Sequence, residues 1–135
     1  MGEKSDKGAG FIIIQKSSNC VLALIKENGN FDLPKGRTDG DEMPLETAKR
    51  ECFEECSILI EDEEILNAGP FTNGELTIFA AITDKLPHIL PNPHSGIVEH
   101  IGYKWVDPIE FMEGCTPYLA DFMNALLNSS EYTWA

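Results

Sequence analysis

Glu51, Glu54 and Glu55 fall within five residues of one another, and residues 51–64 hold seven acids and no base. Projected on a helix at about 100° per residue, Leu45, Ala48, Cys52 and Cys56 form an apolar stripe. Glu51 and Glu55 lie along one edge of that stripe, one turn apart, with Glu54 slightly further round. Their Cβ atoms then sit roughly 5–6 Å from each other, and each exposed like-charge pair costs a few tenths of a kcal/mol. Arg50, four residues before Glu54, can neutralise one carboxylate and leaves two unpaired. The bland account is a solvated acidic face. The chemical account is a hard-cation site, in which Mg²⁺ takes a few carboxylates and keeps waters for substrate phosphates. Pro34-Lys35-Gly36-Arg37 favours the second, because it sets two cations beside a glycine whose backbone can approach an anion or show a carbonyl to metal. Cations for phosphate, carboxylates for metal and a glycine loop leading to the helix make phosphate-anhydride chemistry the coherent reading.

The elements that must position these groups follow from periodicity. Continuous apolar runs at Ala9–Lys16 and Cys20–Lys26 predict two strands covered on both faces, joined by a turn at Ser17-Ser18-Asn19. Glu27-Asn28-Gly29-Asn30 is a turn, Phe31-Asp32-Leu33 a short extended piece, and Pro34–Asp41 an irregular loop. Pro44 suits the first turn of a helix that runs to about Cys56. Ile65–Ala68 and Leu76–Thr83 read as strands around a Pro70–Gly74 turn. Leu86–Gly96, with three prolines, reads as a loop and a candidate semi-rigid flap, with His88 and His94 as solvent or lid residues. Gly102–Val106 is one more strand, and Asp107-Pro108 opens a short helix. Leu119, Phe122, Met123, Leu126 and Leu127 recur at helical spacing and close the chain with an amphipathic helix. The expected class is α+β, a mixed sheet packed by helices. Residues 1–8 read as a flexible tail and 9–135 as a single domain.

Composition bounds the partners. The 135-residue chain is 42% hydrophobic and 24% charged, with a formal net charge of −13. Such a surface repels nucleic acid and anionic membrane unless a basic patch or a divalent cation intervenes. No apolar stretch is long enough to span a bilayer, and the polar N-terminus does not read as a signal peptide. Cys20, Cys52, Cys56 and Cys115 match no zinc or disulfide spacing, so buried free thiols in a reducing cytoplasm are expected.

Gly36, Glu42, Arg50-Glu51-Cys52, Glu54-Glu55 and Ser57-Ile58, over 23 residues, resemble the Nudix box. Ser57 stands where that family usually has glycine, and Cys52 is an unusual but apolar occupant. A non-glycine in a left-handed C-terminal cap costs about 1 kcal/mol. The resemblance implies a Nudix α/β/α sandwich that hydrolyses a nucleoside diphosphate linked to another moiety. It implies Glu51 and Glu55 as principal Mg²⁺ ligands (Mn²⁺ a possible substitute), with Glu54 assisting and the Gly36 carbonyl completing the site. Arg50 would orient the carboxylates and Glu42 would support the loop.

Leu33-Pro34-Lys35-Gly36 followed by Leu45-Glu46-Thr47-Ala48 is similar to asymmetrical diadenosine tetraphosphate hydrolases, as is Glu99-His100 with Tyr103-Lys104-Trp105. That likeness spans residues 9–127 and implies cleavage to ATP and AMP. It implies that Glu99 holds metal or activates water and that Tyr103 lies at the nucleotide pocket. Two positions depart from it: Arg37 stands where many of these enzymes have His, and Phe31 where they have Trp. Strand alternation sends Glu99 and His100 to opposite faces, so only one should serve the chemistry, and Glu99 is the choice. Lys35, Arg37, His100, Tyr103 and Lys104 are the candidate substrate contacts, while Trp105 reads as core. The alternatives are an RNA 5′-end pyrophosphohydrolase, a diphosphoinositol polyphosphate hydrolase and a non-catalytic nucleotide sensor. Nucleic acid enters only as a 5′-end substrate.

Overall fold

The apolar runs near the start of the chain become the middle of a sheet. In the computed structural model, which describes residues 7–89 and 99–132, strand β1 spans Gly8–Gln15 and β2 spans Val21–Lys26. Both runs are continuous because both faces are covered. Phe11, Ile13, Leu22 and Leu24 are buried on one side, and Ile12, Ile14, Val21 and Ala23 on the other. The remaining strands are β3 (Phe31–Asp32), β4 (Lys35–Arg37), β5 (Phe71–Asn73), β6 (Leu76–Thr83) and β7 (His100–Val106). β6 lies parallel to β1 from Gly8↔Leu76 to Gln15↔Thr83, and the other strand pairs are antiparallel, so the sheet is mixed.

Helix α1 (Pro44–Cys56) covers the first face, and α2 (Pro108–Gly114) and α3 (Pro117–Leu127) cover the second. This is the expected sandwich. Pro44 occupies the first turn of α1, and the Glu46 carboxylate accepts the Met43 N–H at 2.8 Å. Ala48, Cys52 and Cys56 form its buried stripe with Leu45 packed beside them. The helix ends at Ser57 in the left-handed conformation, φ 63°. Ser57 Oγ donates to the His88 carbonyl at 3.0 Å, and the His88 N–H donates to the Cys56 carbonyl at 2.9 Å. The serine thus offsets its backbone strain with a hydrogen bond that glycine could not make. On the other face, the Asp107 carboxylate caps α2 by accepting the Glu110 N–H at 2.9 Å. Leu119, Phe122, Met123 and Leu126 bury the expected stripe of α3.

Several boundaries differ from the sequence reading. Gly8, assigned to the tail, belongs to β1, paired with both Arg37 and Leu76. Lys35–Arg37, read as irregular loop, is a strand because the exposed edge of β1 at Gly8–Gly10 pairs with it. Ile65–Ala68 contributes only an isolated bridge, Ile65↔Ala81, after a single 3₁₀ turn at Asp62–Glu64. Phe71–Asn73, read as turn, pairs with β6, and the turn shrinks to Gly74-Glu75 with Gly74 at φ 62°. Of the proposed flap, residues 90–98, including His94, lie outside the described residues. All four cysteines are free, but only Cys52 and Cys56 are buried; Cys20 and Cys115 are half-buried. No helix among the described residues is long and apolar enough to cross a membrane.

One feature of the sheet makes room for a site. β2 pairs with β1 only at Ile14↔Val21. Beyond that point β3 pairs with Leu24 and Ile25 of β2, and β4 with Gly8–Gly10 of β1. The Phe31–Arg37 segment therefore fills the place where the two central strands part.

Candidate metal centre and adjoining cleft

Arg50 ties the loop after β4 to helix α1. Its Nε and Nη2 donate to the two Glu42 oxygens at 2.8 and 3.0 Å, and Nη2 also reaches the Arg37 carbonyl at 2.8 Å. Nη1 lies 3.3 Å from both Glu51 and Glu54. One guanidinium thus serves two of the three helix carboxylates, where the sequence reading allowed it one. The Arg50 hydrogen bonds, outweighing the cost of burial, hold the Glu42 carboxyl down at about 2. Glu42 also accepts the Asp39 N–H and the Thr47 hydroxyl, which closes the loop on itself.

Glu55 is the carboxylate Arg50 does not reach. It is 8% exposed, and burial, with Glu51, Glu99 and Asp32 adding their charges, pushes its carboxyl up to about 10. Glu51 is raised too, first by burial and then by Glu54 and Glu99, against the pull of Arg50. Buried carboxyls that resist ionisation and also crowd one another are what a divalent cation relieves. A second observation points the same way. Glu55, Glu99 and His100 each place a donor atom within 4.8 Å of the others. The donor set fits a divalent ion held mainly by oxygen.

The expected choice between Glu99 and His100 is not required. β7 pairs Gly102 with Ile25 and His100 with Lys26, so Ile101 is an extra residue that breaks the alternation. Glu99 precedes the strand and is not bound by its alternation, while the bulge sets His100 on the α1 side of the sheet, so both neighbours reach the cluster. His100 is 4% exposed, and its Nε2 is 2.9 Å from the Asp32 carboxylate. Asp32 also pairs with Lys35 Nζ at 3.2 Å. Burial opposes ionisation of Asp32, but the His100 hydrogen bond and the Lys35 charge prevail and hold it below the ordinary value. His100, expected as a substrate contact, is therefore enclosed among carboxylates. Asp32 was missed; a lone acid in the short apolar segment before Pro34 was the available signal.

Gly36, the expected carbonyl ligand, lies in the ladder between β1 and β4. Phe11 N–H donates to the Pro34 carbonyl and Thr38 N–H to the Lys7 carbonyl, so the Gly36↔Ala9 pair between them turns its backbone groups into the ladder. Lys35 turns the other way, and its N–H lies 3.4 Å from Glu55 Oε1. The Lys35 carbonyl, like its N–H, points away from β1 and is not used in that ladder. Gly36 matters sterically: a Cβ there would overlap the Glu51 carboxylate.

Beside the cluster lies a cleft of about 350 Å³ at the parting of β1 and β2. Lys26, Lys35 and Arg37 supply its cations, and Phe31, Tyr118 and Leu119 its apolar wall. Lys35 and Arg37, the expected phosphate contacts, both line it. Lys104 does not line this cleft; its ammonium lies 5.9 Å from the centre of the Phe31 ring and 3.8 Å from Glu110. Tyr103, 38% exposed, does not line it either. It pairs with Leu24 and shares the α1 side of the sheet with Trp105, which packs half-buried against that core. Tyr118, on α3, went unremarked because nothing local relates it to a loop eighty residues earlier.

The NUDIX domain model matches residues 4–125. Similar solved structures include a MutT protein from Methanosarcina mazei, 22% identical over 93% of this chain and 95% of that one, with a TM-score of 0.62. A C. elegans Ap4A hydrolase in a binary complex is 17% identical over 90% and 94%, with a TM-score of 0.67. The E. coli dihydroneopterin triphosphate pyrophosphohydrolase is 16% identical over 91% and 93%, with a TM-score of 0.66. No curated protein matches the chain. At these identities the solved structures establish the fold, and the span of the family match, together with the Gly36–Ile58 pattern, places the chain in the NUDIX domain family.

Proposed function

We propose that this Nudix hydrolase cleaves dinucleoside polyphosphates asymmetrically, taking diadenosine tetraphosphate and water to ATP and AMP. One observation carries the reading: the Lys35-Gly36 segment borders both the carboxylate cluster and the cationic, aromatic-walled cleft. A nucleoside in the cleft would send its phosphates past Lys35 and Arg37 to the cluster. Glu51, Glu55 and Glu99 would hold Mg²⁺, or Mn²⁺ in its place. The ion supplies charge neutralisation at phosphate oxygens and a more acidic water. Positioned charge is most of what phosphoryl transfer requires. Lys26, Lys35 and Arg37 bind the anion that the chain's net charge of −13 would otherwise repel. Arg50 holds Glu51 and Glu54 in place and fixes the loop through Glu42. Phe31 and Tyr118 give the base an apolar surface, worth on the order of 1–3 kcal/mol by analogy with other base–aromatic contacts.

The test is product analysis by anion-exchange chromatography after incubation with diadenosine tetraphosphate and Mg²⁺. Equal amounts of ATP and AMP, absent in chelator, are expected. Two ADP per substrate would overturn the asymmetric reading, and tight binding without turnover would make the protein a sensor. Diphosphate release from 5′-triphosphorylated RNA, with the dinucleotide left intact, would move the assignment to RNA ends.

A further inference from the structure

His100 Nδ1 is a buried nitrogen with no hydrogen-bond partner among the described residues. Glu55 Oε1 lies 4.0 Å from it, too far for a hydrogen bond. The ring cannot turn freely, because Nε2 is engaged by Asp32 at 2.9 Å and Asp32 is in turn held by Lys35. A carboxylate accepting at Nε2 places the proton there and leaves a lone pair on Nδ1. Nδ1 is on the Glu55 side of the ring, 4.0 Å from Oε1, and Glu55, Glu99 and His100 form a group whose donor atoms lie within 4.8 Å of one another. The separation of Nδ1 from Oε1 leaves room for one divalent ion to be held by both groups.

We infer that His100 Nδ1 is a nitrogen ligand of a divalent ion shared with Glu55 and Glu99, and that Asp32 is the positioning residue that orients it. The inference rests on the metal-dependent reading above but does not depend on which polyphosphate is cut. Carboxylates behind metal-bound histidines commonly serve this way, fixing the tautomer and the ring plane. The bulge at Ile101 supplies the geometry, since it sets His100 opposite Lys26 and so on the Leu24 face of the sheet, the face that α1 and its Glu55 cover. One imidazole in an oxygen site has a chemical consequence. Carboxylate, carbonyl and water suit Mg²⁺, whereas imidazole favours later first-row ions, so this position should prefer Mn²⁺ or Co²⁺ to Mg²⁺.

Electron spin-echo spectroscopy of the full chain loaded with Mn²⁺ tests the ligand directly. The expected signature is modulation from a directly bound ¹⁴N nucleus, replaced by the ¹⁵N pattern when the three histidines are isotopically labelled. This reading needs no variant. His100→Gln should abolish the modulation and weaken Mn²⁺ at least about tenfold more than Mg²⁺. Asp32→Asn should weaken Mn²⁺ by about 10–100-fold, the range for groups that support metal-bound histidines. Bound Mn²⁺ without nitrogen modulation would overturn the inference and leave His100 as a structural partner of Asp32. If diadenosine tetraphosphate were still cleaved in that case, the proposed function would survive alone. Nitrogen modulation in a protein that cleaves no dinucleoside polyphosphate would leave the ligand standing and remove the substrate.

Discussion

Arg50 grips Glu42 through two parallel charge-assisted hydrogen bonds, Nε to Oε2 at 2.8 Å and Nη2 to Oε1 at 3.0 Å. The remaining guanidinium nitrogen faces Glu51 and Glu54. Loop, helix and carboxylate cluster are therefore set by one planar group. Lysine keeps the charge but has no fork to offer. Arg50→Lys should lower the unfolding free energy by about 1–3 kcal/mol, read by urea denaturation. Turnover should fall about 10–100-fold, as it does when supports behind metal ligands are lost. Unchanged stability and turnover would show the fork to be incidental.

The same pair has an acid signature. A carboxyl held down at about 2, against an ordinary 4.5, contributes stability that is fully present above about 4.5 and is lost as pH falls through about 2. Glu42→Gln should flatten the stability–pH curve across that window. A variant curve parallel to that of the native chain would contradict the assignment.

Glu55 has the opposite sign. With its carboxyl pushed up to about 10, the metal-free folded state binds a proton between about 4.5 and 10 that the unfolded chain does not. Stability without metal should therefore decline as pH rises through that range. Mg²⁺ or Mn²⁺ binding should expel the proton, so affinity rises with pH and the binding heat depends on the buffer's ionisation enthalpy. Glu55→Gln should make the metal-free protein at least as stable as the native one near neutral pH while lowering turnover more than about a hundredfold. Near-normal turnover in that variant would remove Glu55 from the site.

Gly36→Ala tests whether strand β4 and the helix must touch. Its Cβ would overlap the Glu51 carboxylate, so either β4 or the Glu51 side chain must shift. A displacement near 1 Å beside the reacting groups can cost on the order of 10²-fold in rate. That loss is expected with secondary structure intact by circular dichroism. Full activity would mean the carboxylate moves freely and need not stay where it lies.

Substrate recognition separates two tyrosines. Tyr118→Ala should raise KM for diadenosine tetraphosphate about tenfold, the equivalent of about 1.4 kcal/mol, with kcat changed less. Tyr103 does not line the cleft, and Tyr103→Ala should leave KM within about twofold. The reverse result would return the base to β7 and vacate the cleft.

The acidic edge and apolar stripe of α1, the double-faced runs of β1 and β2, and the stripe of α3 were all legible in the sequence. Each is a repeat carried by contiguous residues, so local chain geometry alone determines which side chains share a face. The same holds for Ser57, whose place after Cys56 announced a left-handed cap. β4 was not legible, because three residues ending in Gly36-Arg37 become a strand only when an unfilled edge of β1 pairs with them. Nor was the Asp32–His100 bond, which joins residues 68 apart and depends on a bulge that local alternation argued against. Where a strand is regular, sequence dictates direction; where register slips, the partner strand decides it. Register, and with it the aim of His100, the turn of the Lys35 backbone toward Glu55 and the placing of Tyr118 and Phe31 on one cleft, belonged to the tertiary structure, because each is set by which segments pack together and by nothing within either segment.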